Sequence, residues 1–200
     1  MTPEKIAAHI ANRFEGMKVV ADFFCGPGGN CIQFGLKDSV ETVIGIDNNP
    51  EQLRMFRKNS AVYGVDSKMR FVHGDVYEVA PLIKDMVKID AIFMSPPWGG
   101  PDYQRQKRFD VSIFKHPVEL ARSITENVCI LVPRNIDFQN VYDTFGECEI
   151  EDNYLERKLK TRSIYFGDIM KSAPSQVKRP VEMGNSTLVQ HLKAATGTHP

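Results

Sequence analysis

Apolar positions recur along this chain in two alternating rhythms. Ile6, Ile10 and Phe14 fall at i, i+4 and i+8, the apolar face of a helix that starts at Thr2-Pro3-Glu4. Thr2 reads as its N-cap and Pro3 as its first helical residue, where a missing N–H costs nothing. After Gly16, short apolar runs take turns with longer amphipathic stretches. The runs are VVADFF (19–24), TVIGID (42–47), MRFVHGD (69–75), IDAIFMSPP (89–97) and VCILVPRN (128–135). The helical stretches begin near Gly28, then at PEQLRMFRKNSAVYG, at VYEVAPLIKDM, near 117–126 after an irregular loop, and at IDFQNVYDTFG. This repetition predicts an α/β fold: a parallel sheet with helices on both faces. The rhythm breaks at CEIEDNYLERK and KLKTRSIYFGDI, which adjoin with no room for a crossover helix. They are expected to pair as an antiparallel hairpin, completing a mixed seven-stranded sheet. Residues 1–170 then form one domain, and 171–200, rich in Ser, Pro, Lys, Gly and Thr, a flexible tail in which LVQHL can form one helical turn.

Composition narrows the class. At 200 residues the chain suits one core, and 42% hydrophobic with 25% charged residues exclude a disordered chain, a collagen repeat and a membrane bundle. No apolar run approaches the roughly 20 residues that span a bilayer, so no membrane partner is expected. MTPEKIAAHIANRF has the character of neither a signal nor a transit peptide, which leaves the cytosol or the nucleus. Cys25, Cys31, Cys129 and Cys148 lack CxxC spacing and histidines at ligand distance in sequence; they read as reduced buried thiols, with no metal expected. The histidines have no sequence-near partner and receive no role. A net charge of zero disfavours broad capture of a long duplex but permits a locally recognised nucleic-acid feature.

The first strand runs into D-F-F-C-G-P-G-G at 22–29, a glycine-rich strand-to-helix turn where Gly26, Gly28 and Gly29 let a ligand approach backbone. Neither GxGxxG nor GxxxxGK[ST] is matched, so a pyrophosphate cradle is not indicated. Asp22 at the head of the turn suits a ligand carrying an amino group and a sulfonium. Asp47, ending the second strand, is placed for ribose hydroxyls, and Asp75, after the third, for an adenine amino group. Taken alone, each reads better as a cap of the following helix. Together, at the carboxyl ends of three consecutive strands, they indicate one adenosine-containing ligand without phosphates.

The fourth strand ends in Ser95-Pro96-Pro97-Trp98-Gly99-Gly100. Two prolines stiffen this loop and leave the Ser95 hydroxyl and the Pro96 carbonyl as outward acceptors, natural partners of an –NH2 group. Trp98, the only tryptophan, offers a large face for a base.

The acidic triple and its loop resemble the Rossmann-like class I S-adenosylmethionine methyltransferases from about residue 2 to 170, and SPPW resembles the [D/N/S]-P-P-[Y/F/W] motif of amino-group methyltransferases. TPEKIAAHIA (2–11), DFFCGPGGNCIQF (22–34), SPPWGGPDY (95–103), LVPRN (131–135) and KLKTRSIYFGD (158–168) together resemble the trimethylguanosine synthases, which methylate the guanine-N2 amine of 7-methylguanosine RNA caps. The resemblance implies S-adenosylmethionine, with S-adenosylhomocysteine as product, held by Thr2, Asp22, Cys25, Gly26, Asp47, Asp75 and Ser95. It implies Ser95 and Pro96 orienting the amine, Trp98 stacking on the cationic base with a cation–π gain of about 0.5–2 kcal/mol, and Arg134 with Asn135 at the cap phosphates. It further implies snRNA- or snoRNA-type capped RNA as partner, a monomer, and the nucleus with the cytoplasm also open. Arg105, Lys107 and Arg108 read as either an RNA lead-in or a solvated basic loop. The family commonly carries a cofactor-covering segment ahead of the TPE motif, where this chain begins, so a smaller lid or a shortened chain is expected. Methylation of another nucleobase amine, or a cap-binding module without turnover, are the alternatives.

Overall fold

In the computed structural model, residues 1–99 and 107–171 are described in full, together with the backbone of 181–183, 187–189 and 191–193. Seven strands, β1 (Val19–Phe23), β2 (Thr42–Asp47), β3 (Met69–His73), β4 (Ala91–Met94), β5 (Val128–Pro133), β6 (Glu149–Leu155) and β7 (Lys158–Phe166), lie in the order β6-β7-β5-β4-β1-β2-β3. All neighbours are parallel except β7, which runs antiparallel to both β5 and β6. The predicted mixed sheet and its terminal hairpin are therefore present. The strand order reverses between β1 and β4, the point where open α/β sheets leave a crevice beyond the carboxyl ends of their strands.

Helices α1 (Glu4–Asn12), α2 (Gly29–Gly35), α3 (Pro50–Val62), α4 (Val76–Met86), α5 (Lys115–Arg122) and α6 (Phe138–Phe145) cover both faces. Strand alternation explains the two layers. Val20, Val43, Phe93, Cys129, Leu131 and Tyr165 face α1, α2 and α3, where Ile6, Ile10, Phe34 and Phe56 meet them. Ala21, Ile44, Ile92, Ile130 and Ile164 face α4, α5 and α6, where Ala80, Val118 and Val141 close the second core. All four cysteines are buried and free.

Two local expectations are corrected. Thr2 does not cap α1: Pro3 holds the cap position without a side-chain bond, and the Thr2 hydroxyl instead accepts from Asn30 Nδ2 at 3.1 Å. A tertiary partner 28 residues away outcompetes the local backbone. LVQHL does not form a helical turn in its described parts, which are the strands β9 (Thr187–Val189) and β10 (His191–Lys193). β9 pairs with β8 (Val181–Met183), and β10 pairs antiparallel with β6, the sheet edge whose open backbone groups attract an extended segment.

Candidate active site

The candidate site lies at the carboxyl ends of β1 to β4. Register places Asp22 beside Gly45 on one side and Phe93 on the other, so the acidic residue of β1 and the chain leading to Ser95 occupy adjacent rows. Asp47 pairs with His73, one residue short of Gly74-Asp75. Three strands thus deliver their terminal acids to one edge.

Asp22 is 1% exposed. Its Oδ2 accepts from Cys31 Sγ at 3.1 Å, whereas Oδ1 is buried with no partner. Burial raises this carboxyl to about 8, offset in part by the Cys31 thiol and reinforced by the charge of Asp47. Nearby on α2, Asn30 donates to Thr2 and also leaves a buried amide oxygen without a partner. Buried acceptors normally carry partners, because stripping water from one costs about 1–3 kcal/mol. Two unfilled acceptors around Thr2 and the glycine turn fit an ammonium group, as on an amino-acid moiety. Asn30 was missed from the sequence; its place in GGNC, one residue before the thiol that holds Asp22, was the available signal.

The turn itself is tight. Phe24 leaves β1 at φ 67, a left-handed conformation rare for a bulky side chain, and Gly28 caps α2 at φ 85. A Cβ on Gly28 would come within 1.9 Å of the Phe56 ring, so glycine is required twice over there. Gly26 N–H donates to Asp47 Oδ2 at 2.8 Å, and Cys25 N–H to the Ile46 carbonyl at 3.0 Å, which ties the turn to β2.

Asp47 also accepts from Asn49 N–H at 2.9 Å, and Asp75 caps α4 by accepting from Tyr77 N–H at 2.9 Å. The capping and ligand-binding readings coexist: a carboxylate has about four lone-pair sites and these bonds use only one or two. A cleft of about 270 Å³ opens beside them, walled by Phe24, Ile46, Asp47, Asp75, Tyr77 and Pro96, with Ile113 and Phe114 opposite. Tyr77 stacks on His116, ring centroids 4.7 Å apart. Phe24, Tyr77, Ile113 and Phe114 carried no local signal, because the cleft joins segments far apart in sequence.

Ser95 is partly buried and its hydroxyl bonds to no described residue, while Pro96 lines the cleft. The β4–β5 ladder ends at Met94 and Ile130, and the carbonyl of the next β5 residue, Leu131, accepts from Trp98 Nε1 at 3.3 Å. This bond and contacts with both cores hold the indole at the loop. Arg134 and Asn135 follow β5 on the same edge, outside the cleft wall; Arg134 Nη1 reaches the Leu159 carbonyl at 3.4 Å, and Asn135 accepts from Phe109 N–H. Arg108 is paired with Asp137, and Lys107 is exposed. Gly100, the rest of SPPWGGPDY, and Arg105 lie outside the described residues.

This sheet order, with a glycine turn after β1 and acids closing β1, β2 and β3, defines a class I methyltransferase fold. Solved structures share it at low identity: a precorrin 8w decarboxylase from Methanobacterium thermoautotrophicum (TM-score 0.58, 19% identical, 84% of this chain and 91% of that one). Another is an RNA methyltransferase from Salinibacter ruber in complex with S-adenosyl-L-homocysteine (TM-score 0.53, 15% identical, 90% and 99%). A family model for RNA cap guanine-N2 methyltransferases matches residues 17–172, and the chain belongs to that family. Trimethylguanosine synthase of Saccharomyces cerevisiae is 30% identical over 178 residues, covering 78% of this chain and 56% of that protein. The trimethylguanosine synthase of Schizosaccharomyces pombe is 33% identical over 153 residues, covering 70% and 62%. The chain thus spans less than two thirds of the length of either relative.

Proposed function

We propose that this chain transfers a methyl group from S-adenosylmethionine to the exocyclic N2 amine of 7-methylguanosine at the 5′ cap of RNA, working on snRNA- or snoRNA-type caps in the nucleus. The observation that carries the reading is the buried Asp22 carboxyl, whose Oδ1 has no partner, in the row beside the strand that runs into Ser95-Pro96-Pro97-Trp98. Bound S-adenosylmethionine supplies an electrophilic methyl on a sulfonium. Asp22, with Thr2 and Asn30, holds the ammonium end; Asp47 receives the ribose hydroxyls and Asp75 the adenine amine, with Cys25 and Gly26 presenting the turn that carries them.

The guanine amine is conjugated to its ring and is a weak nucleophile. Ser95 Oγ and the Pro96 carbonyl accept its hydrogens and aim its lone pair, so the chain contributes mainly positioning. Trp98, fixed through Leu131, stacks on the base; a cationic 7-methylated ring gains about 0.5–2 kcal/mol over a neutral one. Arg134, with Asn135 beside it, meets the phosphates that follow.

The test is methyl incorporation from labelled S-adenosylmethionine into a 7-methylated cap dinucleotide and its unmethylated counterpart. Labelling of the first well above the second is expected. Equal labelling, or cap binding without any transfer, would sink the reading.

A further inference from the structure

The β6–β7 hairpin projects past the site in an unusual way. β5 ends at Pro133, opposite Thr161, so Lys158, Leu159 and Lys160 extend beyond the carboxyl edge of the sheet, by about 10 Å at ~3.3 Å per residue. The two-residue turn is Glu156-Arg157, at φ 52 and φ 63. Hairpin turns with both residues left-handed favour Asn-Gly, because side chains there are strained. Here two long charged side chains occupy both positions. Below the turn, one step on β6 from Asn153 to Tyr154 matches two on β7 from Thr161 to Leu159, which leaves Lys160 as the extra residue of a bulge. Bulges turn a side chain out of the ladder and recur beside functional sites.

Arg157, Lys158 and Lys160 are exposed and pair with no carboxylate among the described residues. Arg162, by contrast, is committed: it bonds Asp152 at 2.6 Å and the carbonyls of Arg134 and Ile136, bracing the hairpin base against the end of β5. Positions 157–160 hold three cations beside one exposed acid, Glu156, a local positive excess in a chain of zero net charge. Arg134 reaches the same hairpin, its Nη1 lying 3.4 Å from the Leu159 carbonyl.

We propose that this braced hairpin is a second binding surface, which grips the phosphodiester backbone of single-stranded RNA downstream of the nucleotide in the cleft. The proposal rests on the cap reading for the direction of the RNA, and on the hairpin geometry for the contact. The left-handed turn and the bulge leave Arg157 and Lys160 exposed at the tip, where a phosphate can reach both.

The experiment measures, by fluorescence anisotropy across a salt series, binding of a capped 12-nucleotide RNA, the same RNA uncapped, and the cap dinucleotide. The variant is Arg157→Gln/Lys158→Gln/Lys160→Gln. Both oligonucleotides should bind on the order of ten-fold more weakly at 0.1 M salt, and the slope of log affinity against log salt should fall by about 2, from ~0.7 per lost phosphate contact. Dinucleotide affinity should stay within two-fold. Arg157→Gly is the second variant: it relaxes the turn, so the melting temperature should hold or rise while RNA affinity drops two- to three-fold. Unchanged oligonucleotide binding, absent binding by the wild type, or an equal loss for the dinucleotide overturns the proposal. Loss of poly-glutamate binding with RNA affinity intact also overturns it, in favour of an acidic protein partner. If the wild type ignores the 7-methyl group, the cap reading fails while the salt slope of the uncapped RNA still decides the hairpin.

Discussion

Two sets of carboxylates are buried on the same face of the sheet, and they are treated in opposite ways. At the β6 edge, Glu149 receives two bonds from Arg13, at 3.0 and 2.7 Å, and one from Lys171 N–H. Glu151 meets His9 Nε2 at 2.8 Å and accepts from Tyr165 Oη at 2.5 Å, with Arg13 3.5 Å away and stacked over the Tyr165 ring. At the centre, Asp22 has one thiol and an empty oxygen. Burial alone would raise both Glu151 and Asp22. For Glu151, His9, Arg13 and Tyr165 outweigh burial and hold it to about 2, whereas Asp22 is left at about 8. Where partners are complete, the group fastens α1 to β6; where one is missing, a buried acceptor is left open.

The largest test removes the fastener. Arg13→Met leaves two buried carboxylates without their guanidinium and should cost about 3–5 kcal/mol, read from denaturant unfolding. A loss under about 1 kcal/mol would break the contrast. Glu151 also sets an acid limit. Its folded value lies below the usual 4.5, so the unfolded chain takes up the proton first, and stability falls as pH drops from about 4.5 towards 2.

Asp22→Asn should do the reverse. Removing a buried acid that has one oxygen without a partner should leave stability at pH 8 unchanged or improved, while S-adenosylhomocysteine affinity falls by about 1.5–3 kcal/mol, the worth of a charged hydrogen bond. Calorimetry on the folded variant reads both; full affinity would dismiss Asp22 as a ligand. Trp98→Ala sharpens the comparison from outside, since it touches neither set. It should weaken cap binding by about 1–3 kcal/mol and leave S-adenosylhomocysteine binding unaltered. Unchanged cap affinity would remove the stacking role.

The smallest effect is protonic. Between about 3.8 and about 8 the folded chain holds a proton on Asp22 that the unfolded chain has lost, so this group lowers stability as pH rises through that window. An ammonium ligand favours the ionised form and must expel that proton. Binding of S-adenosylhomocysteine at pH 7 should therefore release close to one proton, measured by calorimetry in buffers of different ionisation enthalpy. Release near zero would mean that Asp22 is already charged.

Much of this molecule was legible in its sequence. TVIGID became β2 residue for residue, VYEVAPLIKDM became α4, and the adjoining runs after Cys148 became the β6–β7 hairpin. Asp47, Asp75 and Pro96 meet in one cleft because each ends or follows a strand of the same parallel set. These are consequences of short-range periodicity and turn chemistry, which a linear chain displays openly.

What the tertiary structure decided lies at long separation. The histidines looked idle, yet His9 meets Glu151 across 142 residues and His116 stacks on Tyr77. Arg13 and Glu149 are 136 residues apart, and nothing local distinguishes them from solvated charges. Thr2 looked like a cap and became a partner of Asn30. The sequence alone therefore determined the strand–helix framework from α1 to the β6–β7 hairpin and the three acids at its carboxyl edge. Only packing decided which buried charges are satisfied and which are left open, because desolvation and partnering depend on neighbours that the fold brings together from distant parts of the chain.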